Sequence, residues 1–332
     1  RSYRPTSLAA PGPFQISSGG SFEAFVLKMS GDGSAMVYAS FLGGRDLDSG
    51  VAIAVDGQGS ATVAGTTRSP DLPGTAGHFR PTHAGGDDAF ALKLGPAGTE
   101  IVYATYLGGA ADDRAADLAL DGAGSAYVAG TTSSPDFPLT QGAWDIHLDG
   151  PDAFVVKLDP TGNGLAYATL VGGGSWEQGQ GVAVDGAGQA VLVGTTASAD
   201  LPTTPGALRS ALAGETDAFI ARLNAAGTAL AYATYLGGSS GESAHSVALD
   251  AAGSAYVSGD TGSADFPVTD GSFGMAHGGE QDAFLAKIDT AGALSYAGLV
   301  GGSGDDWGQA VSVDEGGHAT LAGSSAAFPH AA

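Results

Sequence analysis

The chain has 332 residues, 56 of them glycine and none cysteine, and a formal net charge of -23 with only 12 lysines and arginines. The absence of cysteine excludes disulfides, thiol chemistry and zinc–thiolate centres. The acidic surface repels phosphate backbones and anionic lipid, so nucleic acid and membrane surfaces are excluded as partners, while cations, neutral sugars and other proteins remain.

In chain order, residues 1–10 read as an N-terminal extension that starts at Arg1 without a signal-peptide pattern, as in a processed or trimmed chain. Glu23-Ala-Phe-Val-Leu-Lys-Met29 then opens a series of five similar runs. The others begin at Asp88, Asp152, Asp217 and Asp282, so successive starts lie 65, 64, 65 and 65 residues apart. A fixed period of this length is the mark of a repeat architecture. Each period holds four short runs with two-residue alternation, separated by Gly- and Asp-rich turns, which reads as four antiparallel strands. In the period after Val171 these are A, Gly181-Val-Ala-Val-Asp185; B, Ala190-Val-Leu-Val-Gly194; C, Asp217-Ala-Phe-Ile-Ala-Arg-Leu223; and D, Leu230-Ala-Tyr-Ala-Thr-Tyr-Leu236.

Four antiparallel strands repeated in this way make an all-β, β-propeller architecture. The ends set the blade count. Residues 23–43 supply C and D without a preceding A and B, and residues 309–323 supply A and B without a following C and D. Gly12-Pro-Phe14 matches the Gly-x-apolar signature that precedes each later C strand, and Phe328-Pro329 matches the start of the same loop. The expectation is a five-bladed propeller over residues 11–329, closed by one blade shared between the terminal strand pairs (2 + 2), with residues 330–332 as a tail.

The pattern DAFxxKLD, YxTYLGG, GxAVDxxGxAYVxGTTxSxDFP resembles the SBBP β-propeller repeat over nearly all of residues 11–329. The family name refers to seven blades, from which a count of five departs. The resemblance implies a secreted or surface-exposed bacterial protein, with no assigned chemistry.

Five acids recur just before strand A: Asp48, Asp113, Glu177, Glu242 and Asp306. Around the loop face they would make an electronegative ring able to hold Ca²⁺ through carboxylates; alternatively each accepts backbone N–H bonds from a neighbouring loop. The acids that open strand C, Glu23, Asp88, Asp152, Asp217 and Asp282, are expected to bond loop amides near the Gly-Gly after strand D. Asp71, Asp136, Asp200 and Asp265 read as turn residues. The strand-C cations Lys28, Lys93, Lys157, Arg222 and Lys287 are expected to pair with Asp56, Asp121, Asp185, Asp250 and Asp314 between neighbouring blades. Function is sought where the copies differ. Trp176 and Trp307 flank two of the loop acids and would stack on a sugar if exposed. Trp144 is the third such candidate if exposed, although it stands in an apolar register of the B–C loop where core packing is expected. The seven histidines show no metal spacing and read as surface residues.

The reading that follows is a non-enzymatic extracellular structural or adhesive module whose partners are other surface proteins or copies of itself. A glycan-binding propeller is the alternative. A glycoside hydrolase or lyase using paired ring carboxylates, such as Asp113 and Glu242, is the third.

Overall fold

The computed structural model describes residues 15, 19–20, 22–274 and 276–326, and no helix occurs among them. Gly12–Phe14, Phe328–Pro329, residues 1–10 and residues 330–332 lie outside the described residues. Four sheets have four strands each, and each is a meander in chain order. One is β3 (Asp48–Val55), β4 (Ala61–Thr67), β5 (Asp88–Leu94) and β6 (Ile101–Leu107); the next is β7 (Asp113–Leu120), β8 (Ala126–Thr132), β9 (Asp152–Leu158) and β10 (Leu165–Val171). The others are β11 (Glu177–Val184), β12 (Ala190–Thr196), β13 (Asp217–Leu223) and β14 (Leu230–Leu236), and β15 (Glu242–Leu249), β16 (Ala255–Thr261), β17 (Asp282–Ile288) and β18 (Leu294–Val300). These are the expected A-B-C-D blades.

The terminal strands stand differently. β1 (Ala24–Met29) pairs with β2 (Met36–Leu42), and β19 (Asp306–Val313) with β20 (Ala319–Ser325), as two separate two-stranded sheets. The described strands therefore give propeller-like blades without hydrogen bonds that join the two hairpins into one.

The chain divides into two compact units. One holds the described residues up to Val128 with Thr132–Pro138 and Val156–Ala166; the other holds Ala129–Thr131, Leu139–Val155 and the described residues from Tyr167 onward. Within each unit, sheets pack face on face. In the second, Val191, Val193, Ala218 and Ile220 of β12 and β13 share a buried cluster with Ala244, Val247 and Phe284 of the following sheet. The small residues of strand A allow this, because a blade covered on both faces leaves no room for large side chains on its innermost strand.

Three repeated fits hold the blades. On strands B and C, Gly65 faces Phe90, Gly194 faces Phe219 and Gly259 faces Phe284. A side chain on Gly194 would come within 1.8 Å of the Gln178 carbonyl and 2.9 Å of the Phe219 ring, so only glycine leaves the ring its seat. At the C–D turns, Gly98 and Gly162 sit at φ of about +70° over the rings of Tyr38 and Tyr103 in the first unit, and Gly227 and Gly292 over Tyr167 and Tyr232 in the second. Finally, Asp56 bonds Lys93 at 2.9 Å, Asp121 bonds Lys157 at 3.2 Å, Asp250 bonds Lys287 at 3.0 Å, and Asp185 bonds Arg222. These ion pairs join the A and C strands of one sheet across strand B, and not neighbouring blades as expected. The meander sets the two strands about 10 Å apart, two strand spacings, which a long cationic side chain spans.

Strand A carries a bulge in four of its copies, where the register shifts between Gly50 and Ala52, Gly179 and Gly181, Ala244 and Ser246, and Gly308 and Ala310. The skipped residues, Val51, Gln180, His245 and Gln309, have their side chains re-aimed by the bulge.

Candidate functional site

The five loop acids are the first residues of the A strands, and all five are buried. Nearly all of their oxygens are taken up locally. Asp113 accepts from the Ser134 hydroxyl and the Gly109 amide, each at 2.7 Å, and from the Thr132 hydroxyl. Glu177 accepts from Thr196 Oγ1 at 2.6 Å and from the Gly173 amide at 2.9 Å; Glu242 repeats this with Thr261 and Gly238. Asp48 accepts from Thr67, Ser69 and the Gly44 amide, and Asp306 from the Gly302 amide at 2.8 Å. Asp48, Asp113, Glu177 and Glu242 thus clasp their own D–A loops to the end of strand B, whereas Asp306 holds only its loop and its Oδ1 is buried without a hydrogen-bond partner. Among the described residues no group of three or more His, Cys, Asp or Glu side chains converges on a point that could hold a metal ion. Burial raises the carboxyls of Asp48 and Asp113 above their ordinary range.

The strand-C acids differ from the expectation. Asp88 accepts from the Ala84 amide at 2.8 Å, Asp217 from Ala213 at 3.1 Å, Asp282 from Gly278 at 2.6 Å, and Glu23 from Gly20 at 2.7 Å. These amides end the B–C loop that leads into strand C. The amides beyond the Gly after strand D go to the turn acids instead: Arg45 to Asp71, Ala110 to Asp136, Gly174 to Asp200 and Ser239 to Asp265, at 2.7–3.0 Å. A carboxylate takes the donors nearest its own loop, which shortens the segment that must be ordered. Asp152 is pushed up to about 8, first by burial and then by repulsion from Glu177, Asp145 and Asp149.

Of the three tryptophans, Trp176 and Trp307 are exposed, at 38% and 39%. Trp307 also lines a shallow cavity with Ala283, Val300, Leu321 and Gly323. Trp144 is not in the core as expected: its amide bonds the Gly227 carbonyl at 2.8 Å while its ring is 39% exposed. The backbone contact satisfies the repeat, which leaves the ring free to face solvent. Ile146 and Phe273 are similarly exposed on the B–C loops of the second unit.

One constellation was missed at the sequence level. His245, read there as a surface residue, is only partly exposed and bonds Asp260 through Nε2, while its Nδ1 faces the Gln180 amide at 3.3 Å. Thr195 Oγ1 donates to Gln180 Oε1 at 3.1 Å and lies 2.7 Å from Ser243 Oγ. Two bulge residues of adjacent blades are thereby linked into one polar cluster. The signal was present in the sequence: Asp260 stands where other copies have Thr66, Thr131, Thr195 and Ser324, and His245 where they have Val51, Ala116, Gln180 and Gln309. Two departures from the repeat in one period are a pair that makes sense only together.

Residues 102–138 and 231–267 match the family model of the SBBP β-propeller repeat. Each segment runs from strand D through strands A and B to the Asp-Phe-Pro of the next loop. No curated protein matches. Among solved structures, the crystal structure of BamB from Moraxella catarrhalis is similar over 93% of this chain and 92% of that chain, at 11% identity and a TM-score of 0.29. In these two segments the chain is similar to the SBBP β-propeller repeat.

Proposed function

We propose that the chain is a non-enzymatic protein-interaction module, extracellular or on a bacterial surface, that adheres to other surface proteins or to copies of itself through the long loops of its second unit. One observation carries this reading. Trp144, Ile146, Trp176, Phe273 and Trp307 stay between 38% and 48% exposed on or next to those loops, while the strand-C phenylalanines of the four complete sheets, Phe90, Phe154, Phe219 and Phe284, are buried. Exposed aromatic side chains are enriched at the centres of protein interfaces and dominate their energetics. The clasped loop acids support the same reading, since a carboxylate bonded to its own scaffold is a poor general acid.

The test is mass in solution as a function of concentration, with imaging of the assembled material. Wild-type protein is expected to form larger species, and Trp176→Ser with Trp307→Ser to lower the association constant at least tenfold. A monomer at every concentration, with no partner among surface proteins of the source cell, would overturn it. Glycan binding is the second reading, favoured by the polar cluster of His245, Asp260 and Gln180 in the unit that carries Trp176 and Trp307. A glycan array that lights up for wild type and not for the double Trp variant would select it.

This reading takes the fold as a five-bladed propeller over residues 11–329, in which the two terminal hairpins are halves of one blade. Calcium at the loop acids Asp48, Asp113, Glu177, Glu242 and Asp306 would compete with the hydroxyl and amide donors that now bond them.

A further inference from the structure

Four residues of the first unit depart from the repeat in one place. The residue before strand C is Phe22, Asp87, Pro151, Thr216 or Gln281; the second residue of strand A is Ser49, Arg114, Gln178, Ser243 or Trp307; the residue after strand B is Arg68, Ser133, Ala197, Gly262 or Ala326. Phe22, Asp87, Arg114 and Arg68 are thus the only aromatic, acid and cations in the first, second and third of these registers apart from Trp307. The structure brings them together. Asp87, with its side chain 8% exposed, accepts from Arg68 Nε on Oδ1 and from Arg114 Nε, at 3.0 Å, and its terminal nitrogen on Oδ2. Arg114 also donates to Asp112 at 2.9 Å, and the other oxygen of Asp112 takes the Asp87 amide at 3.1 Å. The Arg68 guanidinium, helped by Arg114, holds the Asp87 carboxyl below its ordinary range, so it stays ionised. A guanidinium carries five N–H groups in one plane. Arg68 is half exposed, spends only Nε–H on Asp87, and lines a hollow of about 260 Å³ with Phe22, Leu47, Ser49 and Thr66. Phe22 and Leu47 are 75% and 37% exposed. The Phe22 carbonyl takes the Asp48 amide at 3.0 Å, which fixes the backbone and leaves the ring in solvent. Ser49 and Thr66 face each other across β3 and β4, and neither hydroxyl bonds another described residue.

We propose that this hollow of the first unit is a binding site for one neutral sugar residue, with the Phe22 ring against a CH face of the sugar and Arg68, Ser49 and Thr66 on its hydroxyls. Sugar hydroxyls both donate and accept. The spare guanidinium N–H groups donate to them, and the two side-chain hydroxyls do either. A phenylalanine left in solvent beside such groups supplies the apolar half of the contact. Asp87 and Arg114 act as positioning residues: they hold the Arg68 fork in one plane before the ligand arrives, which lowers the ordering cost of binding. An anionic ligand fits less well. Arg68 and Arg114 are balanced by Asp87 and Asp112, so the site adds no net positive charge to a chain of net charge -23. A neutral ligand meets no such repulsion. The volume is below the roughly 300–1,000 Å³ of sites for drug-sized ligands, which suits a single ring. The site goes beyond the protein-interaction reading and uses neither Trp176 nor Trp307, which belong to the second unit.

The test is a titration of the whole chain with methyl hexopyranosides, methyl N-acetylhexosaminides, glucuronate and inorganic phosphate at millimolar concentration, read by saturation-transfer NMR. At least one neutral glycoside is expected to bind wild type, and more tightly than either anion. Phe22→Ser is expected to weaken that binding at least tenfold with no change in melting temperature, because the ring it removes is in solvent. Arg68→Ala is expected to weaken it to a similar degree, and Arg68→Lys, which keeps the charge without the planar fork, to restore little of it. Trp176→Ser with Trp307→Ser is expected to bind the glycoside as wild type does. The proposal is overturned if no neutral glycoside binds, or if Phe22→Ser and Arg68→Ala both bind as wild type does. Preference for phosphate or glucuronate would also overturn it and make the two arginines an anion site. Loss of binding only in the double Trp variant would overturn it in favour of a sugar site in the second unit. Solution mass of the Phe22→Ser protein is expected to equal that of wild type at every concentration, so the sugar site and the interaction reading fail separately.

Discussion

Glu177 shows what a repeated acid does in this chain. Its carboxylate is buried, it accepts from the Thr196 hydroxyl and the Gly173 amide, and it stands against Asp152. Removing one donor leaves a buried acceptor unsatisfied, so Thr196→Val is expected to cost about 1–3 kcal/mol in chemical denaturation. Thr196→Ser, which keeps the hydroxyl, should cost much less. Asp152 sets a pH dependence. Its folded pKa of about 8 lies above the ordinary 3.8, so the folded state binds the proton more tightly than the unfolded chain. The stability from this proton is fully present below about pH 4 and is lost as pH rises through 8. Asp152→Asn, neutral at every pH, is expected to flatten the fall in melting temperature over that range and to melt no lower than wild type at pH 8.5. An unchanged slope would mean that Asp152 ionises freely.

At the scale of the element, the strand-B glycine and the strand-C phenylalanine form one device. Phe219 is fully buried over Gly194. Phe219→Ala is expected to cost about 3–5 kcal/mol, through lost burial and the cavity left behind. Gly194→Ala, which adds a methyl against the Gln178 carbonyl and the ring, is expected to cost about 1–3 kcal/mol by overpacking. Both values are read from urea midpoints at constant slope. The strand-A bulges are the other device. They turn Gln180 and His245 toward each other across adjacent sheets, so His245→Gln is expected to keep the fold, with Asp260 retaining a donor. Whether the cluster binds a glycan is read by repeating the array with that variant.

For the whole molecule, the uneven distribution of exposed aromatics matters more than the net charge. The first unit's exposed apolar side chains, such as Phe25, Ile53 and Val55, lie mainly on its strands, while the second unit carries Trp144, Ile146 and Phe273 in solvent on its loops. The bulk acidity of -23 keeps such a surface soluble without defining a metal site. Because the loop acids already have partners, addition of Ca²⁺ or of a chelator is expected to leave the melting temperature unchanged at fixed ionic strength; a rise with Ca²⁺ alone would return the acids to the candidate site.

The sequence by itself determined the strands, their order and the blade unit, because a 65-residue period repeats the two-residue alternation and the turn glycines at fixed places. It also located the buried acids at the head of strand A, and it marked Trp176 and Trp307 as departures worth following. Tertiary structure decided the bonding partners. Which amide meets Asp88, whether Lys93 crosses its own sheet or reaches the next, and whether the Trp144 ring enters the core all depend on loop paths that alternation does not encode. The link between His245 and Asp260 was legible only as two separate substitutions until the strand-A bulge, a single residue out of register, turned one toward the other. Periodicity fixes which residues share a strand face; only the packed chain fixes which of several nearby donors lies within hydrogen-bond reach of a given acid.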